Sequence, residues 1–235
     1  MRNQYFQFKQ FHLQHGDLGL KTTTEACIFG AWMTILSSEK RILDIGSGTG
    51  LLSLMVAQRF EVDIDAVEIN AEMVELCHLN FSKSPWKSRV KVIQSPIQQF
   101  KPEKKYDLIF SNPPFFRNHL AGKSATKNMA LHDQLLSQED LFTSVSGLLS
   151  DQGRFAVMYP KSEAEKLAIL FETNGFYCNE KLFIKDTLAK SVLRVIQVFS
   201  RITSITNEET LIIKKIDGDY TEEFIRYLKP YYLRL

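Results

Sequence analysis

Leu43-Asp44-Ile45-Gly46-Ser47-Gly48-Thr49-Gly50 joins a short apolar run, Arg41 to Ile45, to an apolar run at helical period, Leu51 to Gln58. Three glycines at alternate positions between a strand and a helix let backbone come close to a ligand, because a Cβ would stand in the way. The same alternation continues outward from this loop. Val62 to Ile69 alternates at period two and Ala71 to Phe81 repeats at helical period. Val90 to Ile93, a short helix near Ile97 to Phe100, and Tyr106 to Phe110 follow. A helix from Ser137 to Leu149 leads into a strand from Arg154 to Tyr159, then a helix from Ser162 to Thr173. Two β-rich runs with no helix between them, Phe176 to Ile184 and Val192 to Phe199, predict an antiparallel pair near the end. The expected fold is α/β: a Rossmann-like, mostly parallel seven-stranded sheet with helices on both faces and an antiparallel strand near the end. Residues 1–35 read as an N-terminal arm and 36–235 as the core of one domain, closed by a strand from Thr210 to Lys215 and a helix from Tyr220 to Leu235.

With 235 residues, 44% hydrophobic and 24% charged, the chain has the balance of a soluble globular protein with a single core. No apolar run approaches the ~20 residues of a membrane span, and the first residues lack an apolar signal core. Cys27, Cys77 and Cys178 lie far apart, so neither a zinc ribbon nor a disulfide framework is evident. The expectations are a cytoplasmic protein with no metal and no obligate protein partner. The net charge of +2 is too mild to announce a nucleic-acid binder, and equally does not exclude one that concentrates charge on one face.

Glu68 ends the second strand, 18 residues past Gly50, where a carboxylate accepts hydrogen bonds from the vicinal hydroxyls of a ribose. A dinucleotide fingerprint would place its third glycine where Leu51 stands. Asp44, just before Gly46 and Gly48, would repel a pyrophosphate but pairs with a cationic amino-acid moiety, directly or through water. A ribose, an ammonium-bearing amino acid and no phosphate together describe S-adenosyl-L-methionine. The fourth strand ends in Ser111-Asn112-Pro113-Pro114-Phe115. Two prolines fix φ and forbid continuation of strand or helix, so the backbone is stiff. The Asn112 amide oxygen and the Pro113 carbonyl are two acceptors suited to an exocyclic –NH2, and Phe115 supplies a flat face for a planar ring. Drawing the amine hydrogens out of plane turns the delocalised lone pair toward a methyl donor without a strong base.

With these motifs the sequence resembles the amino-methylating class I S-adenosylmethionine-dependent methyltransferases, and more narrowly the tRNA(Val) adenine-N6 methyltransferases, which modify the adenine beside the anticodon. The likeness covers nearly the whole chain: Phe6 to Phe11, Lys21 to Ala26, Gly30-Ala31-Trp32, Leu43 to Gly50, Ser84-Pro85-Trp86, Ser111 to Phe115, Thr221-Glu222 and Tyr231-Tyr232-Leu233. It implies that Asp44, Gly46, Gly48, Gly50 and Glu68 hold the cofactor, that Lys21 and Thr24 belong to a segment closing over it, and that Asn112, Pro113, Pro114 and Phe115 hold the target amine. Pro96 stands where relatives tend to carry an Asp beside the cofactor adenine, which would shift adenine recognition to backbone groups near Ile97. Glu25 replaces an Asp.

The stretch from Phe115 to His132 carries Arg117, Lys123, Lys127, His119 and His132 and no acidic residue. Following the amine motif directly, it is the expected contact for tRNA, with Lys9 a weaker candidate. His12, His15 and His78 read as scaffold or surface. The rival readings are methylation of another planar amine, either guanine N2 of ribosomal RNA or a protein glutamine amide, and a catalytically idle module binding RNA or a partner.

Overall fold

Period-two alternation places the strands between two apolar layers. In β3 (Arg41–Ile45), Leu43 and Ile45 enter one cluster and Ile42 the other. In β7 (Leu149–Tyr159), Phe155, Val157 and Tyr159 oppose Ala156 and Met158 in the same way. Strands buried on both faces are nearly continuously apolar, which is why they stand out in the sequence. The computed structural model describes residues 5–15, 22–114 and 136–235.

The remaining strands are β1 (Tyr5–Gln7), β2 (His12–Gln14), β4 (Asp63–Glu68), β5 (Val90–Gln94), β6 (Tyr106–Ser111), β8 (Tyr177–Lys185), β9 (Val192–Ser200) and β10 (Asn207–Ile212). Helices α1 (Thr24–Trp32), α2 (Leu51–Arg59), α3 (Ala71–Ser82) and α6 (Glu222–Leu228) contribute to one apolar cluster. Helices α4 (Gln138–Leu148) and α5 (Lys161–Thr173), with a 3₁₀ turn at Ile97–Gln99, contribute to the other. The main sheet runs β10-β8-β9-β7-β6-β3-β4-β5. Every neighbouring pair is parallel except those of β9, which is antiparallel to both β7 and β8. From β3 the chain winds outward to β4 and β5, then returns to β6 on the other side. The order therefore switches between β3 and β6, and open α/β sheets bind their ligands outside the carboxyl ends of the strands at such a switch.

Several details differ from the sequence reading, among them the start of β7 at Leu149 and the placing of β10 at Asn207–Ile212. The sheet has eight strands, not seven, because the tail strand joins its edge: β10 pairs parallel with β8. The last helix is shorter than expected, spanning Glu222–Leu228, with the Thr221 hydroxyl capping it at Phe224 N. Within the stretch read as an arm, β1 and β2 form a hairpin and α1 is buried from Ala26 to Trp32. The hairpin is held by aromatic contacts: Phe8 stacks on Phe11 at 4.4 Å, Phe11 meets Trp86 edge-on at 5.8 Å, and Phe8 bridges Tyr232. A helix apolar on all sides has no amphipathic stripe, so its period is invisible in the sequence.

Candidate active site

All three loop glycines have positive φ, at +70°, +53° and +81° for Gly46, Gly48 and Gly50. Their surroundings separate two roles. A Cβ on Gly46 or Gly48 would meet nothing within 4 Å among the described residues, which leave space beside these two. A Cβ on Gly50 would lie 2.4 Å from the Phe81 ring and 2.9 Å from Cys77 Sγ, so this glycine serves the packing of the loop on α3. Gly46 N and Ser47 N both donate to Val67 O, fixing the loop to the end of β4. Gly50 caps α2 without a side-chain bond, leaving the first N–H groups of that helix for a ligand or water.

Asp44 is buried at the end of β3, on the face covered by α2. Its Oδ2 accepts from Ser53 Oγ at 2.7 Å, and its Oδ1 is buried without a partner among the described residues. Burial pushes the carboxyl up to about 7, against the Ser53 hydrogen bond, with the nearby Glu68 charge adding to the rise. An orphaned carboxylate oxygen in a closed place is what a cationic ligand group would satisfy.

Glu68 sits at the end of β4, as expected, but its carboxylate is already engaged. Oε2 accepts from Gly48 N at 2.9 Å, and Oε1 from Ile69 N at 2.9 Å and Asn70 N at 3.0 Å. With two lone pairs per oxygen, Oε2 keeps one direction free for a hydroxyl; a second hydroxyl needs Gly48 N to be released. Next to it Ile69 is 46% exposed, an aliphatic face at the mouth of the crevice suited to a flat base. The Ile97 side chain is buried in the core and is not itself open to a ligand, while Gln98 and Gln99 of the same 3₁₀ turn are exposed.

Across the switch, Asn112 is half-buried and its Oδ1 is a buried acceptor with no partner among the described residues. Pro113 is buried and Pro114 exposed. Ser111 Oγ donates to Ile45 O at 2.8 Å, tying the end of β6 to the end of β3. The crevice thus brings together Asp44, Gly46, Gly48, Glu68 and Asn112. Thr24 opens α1, whose cap is the preceding Thr23. Lys9 Nζ donates to Lys229 O at 2.6 Å and so joins the hairpin to the end of α6. Lys21, Phe115, Arg117, Lys123, Lys127 and His132 lie outside the described residues. Ser53, Ile69 and the Ser111 tie escaped the sequence reading. Their signals were a hydroxyl in the apolar first turns of α2, an apolar residue directly after Glu68, and a serine opening the Asn-Pro-Pro motif.

The donor set suits a nucleoside with free ribose hydroxyls and a cationic substituent: an orphaned buried carboxylate oxygen, an uncrowded glycine cradle and one free direction on Glu68. Sheet order and site together define a class I methyltransferase fold. The solved structures agree on the fold. A predicted O-methyltransferase of Agrobacterium tumefaciens superposes at TM-score 0.68 and 15% identity, covering 87% of this chain and 95% of that one. The glycopeptide N-methyltransferase MtfA, complexed with S-adenosyl-L-methionine, superposes at 0.58 and 13%, covering 79% and 96%. The model of the methyltransferase small domain matches residues 31–159. Two relatives carry the name tRNA1(Val) (adenine(37)-N6)-methyltransferase. That of Tolumonas auensis is 37% identical over 98% of this chain and 97% of its own length; that of Trichodesmium erythraeum is 38% identical over the whole of both. The chain belongs to the methyltransferase small domain family and, within it, to the tRNA1(Val) (adenine(37)-N6)-methyltransferases.

The raised Asp44 carboxyl has a pH consequence. Its folded pKa, about 7, lies above the ordinary 3.8. The neutral form is favoured in the fold, so its contribution to stability is whole below the ordinary value and lost as pH rises through about 7. Relative to wild type, Asp44→Asn should gain thermal stability as pH rises from about 5 to about 8. A cation against Oδ1 favours the ionised form, so cofactor affinity of the wild type should rise over the same interval, and that rise should vanish in the variant. Melting and titration calorimetry at both pH values check this, and parallel curves for the two proteins would place the Asp44 titration elsewhere.

Proposed function

We propose that this protein transfers a methyl group from S-adenosyl-L-methionine to the N6 amine of an adenine in tRNA, the adenine at position 37 of tRNA1(Val) as in its relatives' names. When bound, the cofactor supplies an electrophilic methyl on a sulfonium that loses its charge as the group departs. Asp44 Oδ1 pairs with the cationic amino-acid end, Gly46 and Gly48 let the chain lie close, and Glu68 Oε2 takes a ribose hydroxyl. The observation that supports this reading most is Asn112 Oδ1, a buried acceptor without a partner among the described residues at the carboxyl end of β6. Such an oxygen costs free energy unless something donates to it, and an amine N–H of the substrate does so. It holds one hydrogen, the Pro113 carbonyl takes the other, and the nitrogen lone pair turns toward the methyl. The proton leaves to solvent after transfer, so no strong base is required. Phe115 stacks on the target ring, and Arg117, Lys123, Lys127 and His132 meet the RNA backbone.

The experiment is mass spectrometry of nucleosides from unmodified tRNA incubated with enzyme and labelled cofactor. The expected product is N6-methyladenosine, lost from tRNA whose adenine 37 is replaced. Labelled guanosine, a labelled protein glutamine, or no label with intact cofactor binding would each establish a rival reading. Charge reversal at Lys123 and Lys127 should weaken tRNA affinity and flatten its salt dependence, while leaving cofactor affinity unchanged.

A further inference from the structure

Asn80 stands 2% exposed on α3, with its amide fully committed between two other segments. Its Oδ1 accepts from Gln14 N at 2.9 Å and its Nδ2 donates to Gln14 O at 3.1 Å. The side chain thereby pairs with the end of β2 as a neighbouring strand would. The second Nδ2 hydrogen goes to Thr49 O at 2.9 Å. Thr49 lies between Gly48 and Gly50, and α2 begins its hydrogen-bond ladder at the next carbonyl, with Leu54 N donating to Gly50 O. The Thr49 carbonyl therefore finds in Asn80 the donor that the helix does not give it. Cys77 and Phe81, on the same helix face, are the atoms pressed against Gly50.

From this geometry we infer that Asn80 is a positioning residue for cofactor affinity: it locks the glycine loop to the N-terminal hairpin, so that cofactor binding and docking of the hairpin are coupled. The inference rests on the methyltransferase reading of the same loop. The hairpin is in turn fastened to the tail. Lys9 N donates to Tyr231 O, Phe8 bridges Tyr232, and Tyr231 OH donates to Met55 O on α2. Ser84-Pro85-Trp86 takes part as well. Ser84 Oγ donates to Phe81 O, closing the end of α3, and Trp86 abuts Phe11 of the hairpin. Asn80 thus joins the Thr49 carbonyl of the glycine loop to a hairpin that the tail and Trp86 hold in place. A change at Asn80 reaches the cofactor without touching it.

Asn80→Asp keeps the size and the acceptor, loses both donors, and sets a carboxylate against two carbonyls. Titration calorimetry with S-adenosyl-L-methionine should give an affinity at least about tenfold weaker than wild type, a free-energy change of about 1.4 kcal/mol. Steady-state kinetics should show a raised cofactor KM, with kcat at saturating cofactor and tRNA KM near wild type. Leu182→Ala, a core deletion on β8, is the control: its melting temperature should fall while its cofactor affinity stays unchanged. Hydrogen exchange on the wild type serves even if Asn80→Asp fails to fold, because adding cofactor should slow exchange of the Gln14 amide, which donates to Asn80. A folded Asn80→Asp that binds cofactor like wild type, or a Gln14 amide indifferent to cofactor, overturns the inference. Wild-type protein that binds no cofactor would overturn the methyltransferase reading itself.

Discussion

Asn112→Ala is expected to lower kcat by ~10²-fold or more, about 2.7 kcal/mol of barrier, with cofactor affinity within about twofold of wild type. The separation of the two effects follows from the topology. Asn112 lies past the end of β6, while Asp44, Gly46, Gly48 and Glu68, the groups proposed to hold the cofactor, lie at the ends of β3 and β4. Ser111 Oγ holds β6 to Ile45 O on its own account, so truncating the next side chain leaves that register intact. What disappears is the buried Oδ1 that would otherwise hold an amine hydrogen. The loss is felt most in the transition state, where the nitrogen lone pair must leave conjugation with the ring. Asn112→Asp keeps an oxygen in place and should retain more of the rate than alanine. Single-turnover rates at saturating cofactor and tRNA read this directly. A rate for Asn112→Ala within twofold of wild type would remove the amide from the mechanism.

The strand-end positions of Asp44, Glu68 and Asn112 were legible because each stands at or beside the point where an apolar run breaks off, and a strand end is a local event in sequence. Parallel pairing then does the rest: register places the ends of β3, β4 and β6 side by side. The missing parts depend on partners distant in the chain. Nothing near residue 44 reveals that Ser53 would take one of its oxygens. Nothing near residue 68 reveals that Gly48 N would occupy one direction of Oε2, twenty residues back. Asn80 reads as an ordinary polar position on an amphipathic helix until Gln14 and Thr49 are brought to it. The helix α1 was hidden for the opposite reason: burial on all sides erases the polar face by which helices are recognised.

The three glycines make the same point at higher resolution, for the motif presents them as equivalent and the packing does not. In Gly50→Ala the new Cβ would stand 2.4 Å from Phe81, itself 3% exposed and without room to retreat, at a residue whose φ is +81°. Left-handed backbone costs a residue with a Cβ roughly 1–2 kcal/mol and overpacking about 1–3 kcal/mol more. For a chain of this length that is a fall in melting temperature on the order of 10 °C. In Gly46→Ala the φ of +70° brings the same backbone cost, but no atom lies within 4 Å, so the thermal loss should be less than half as large. Its Cβ instead enters the space proposed for the cofactor, and cofactor affinity should fall more than about tenfold despite the milder melting change. The ratio of affinity lost to stability lost is therefore the discriminating quantity, larger at position 46 than at position 50. Adding Phe81→Leu to Gly50→Ala relieves the clash, so the double variant should melt well above the sum of the two single losses, whereas Phe81→Leu combined with Gly46→Ala should be additive. Equal melting losses at the two glycines, or additivity in both cycles, would mean that α3 does not shape this loop.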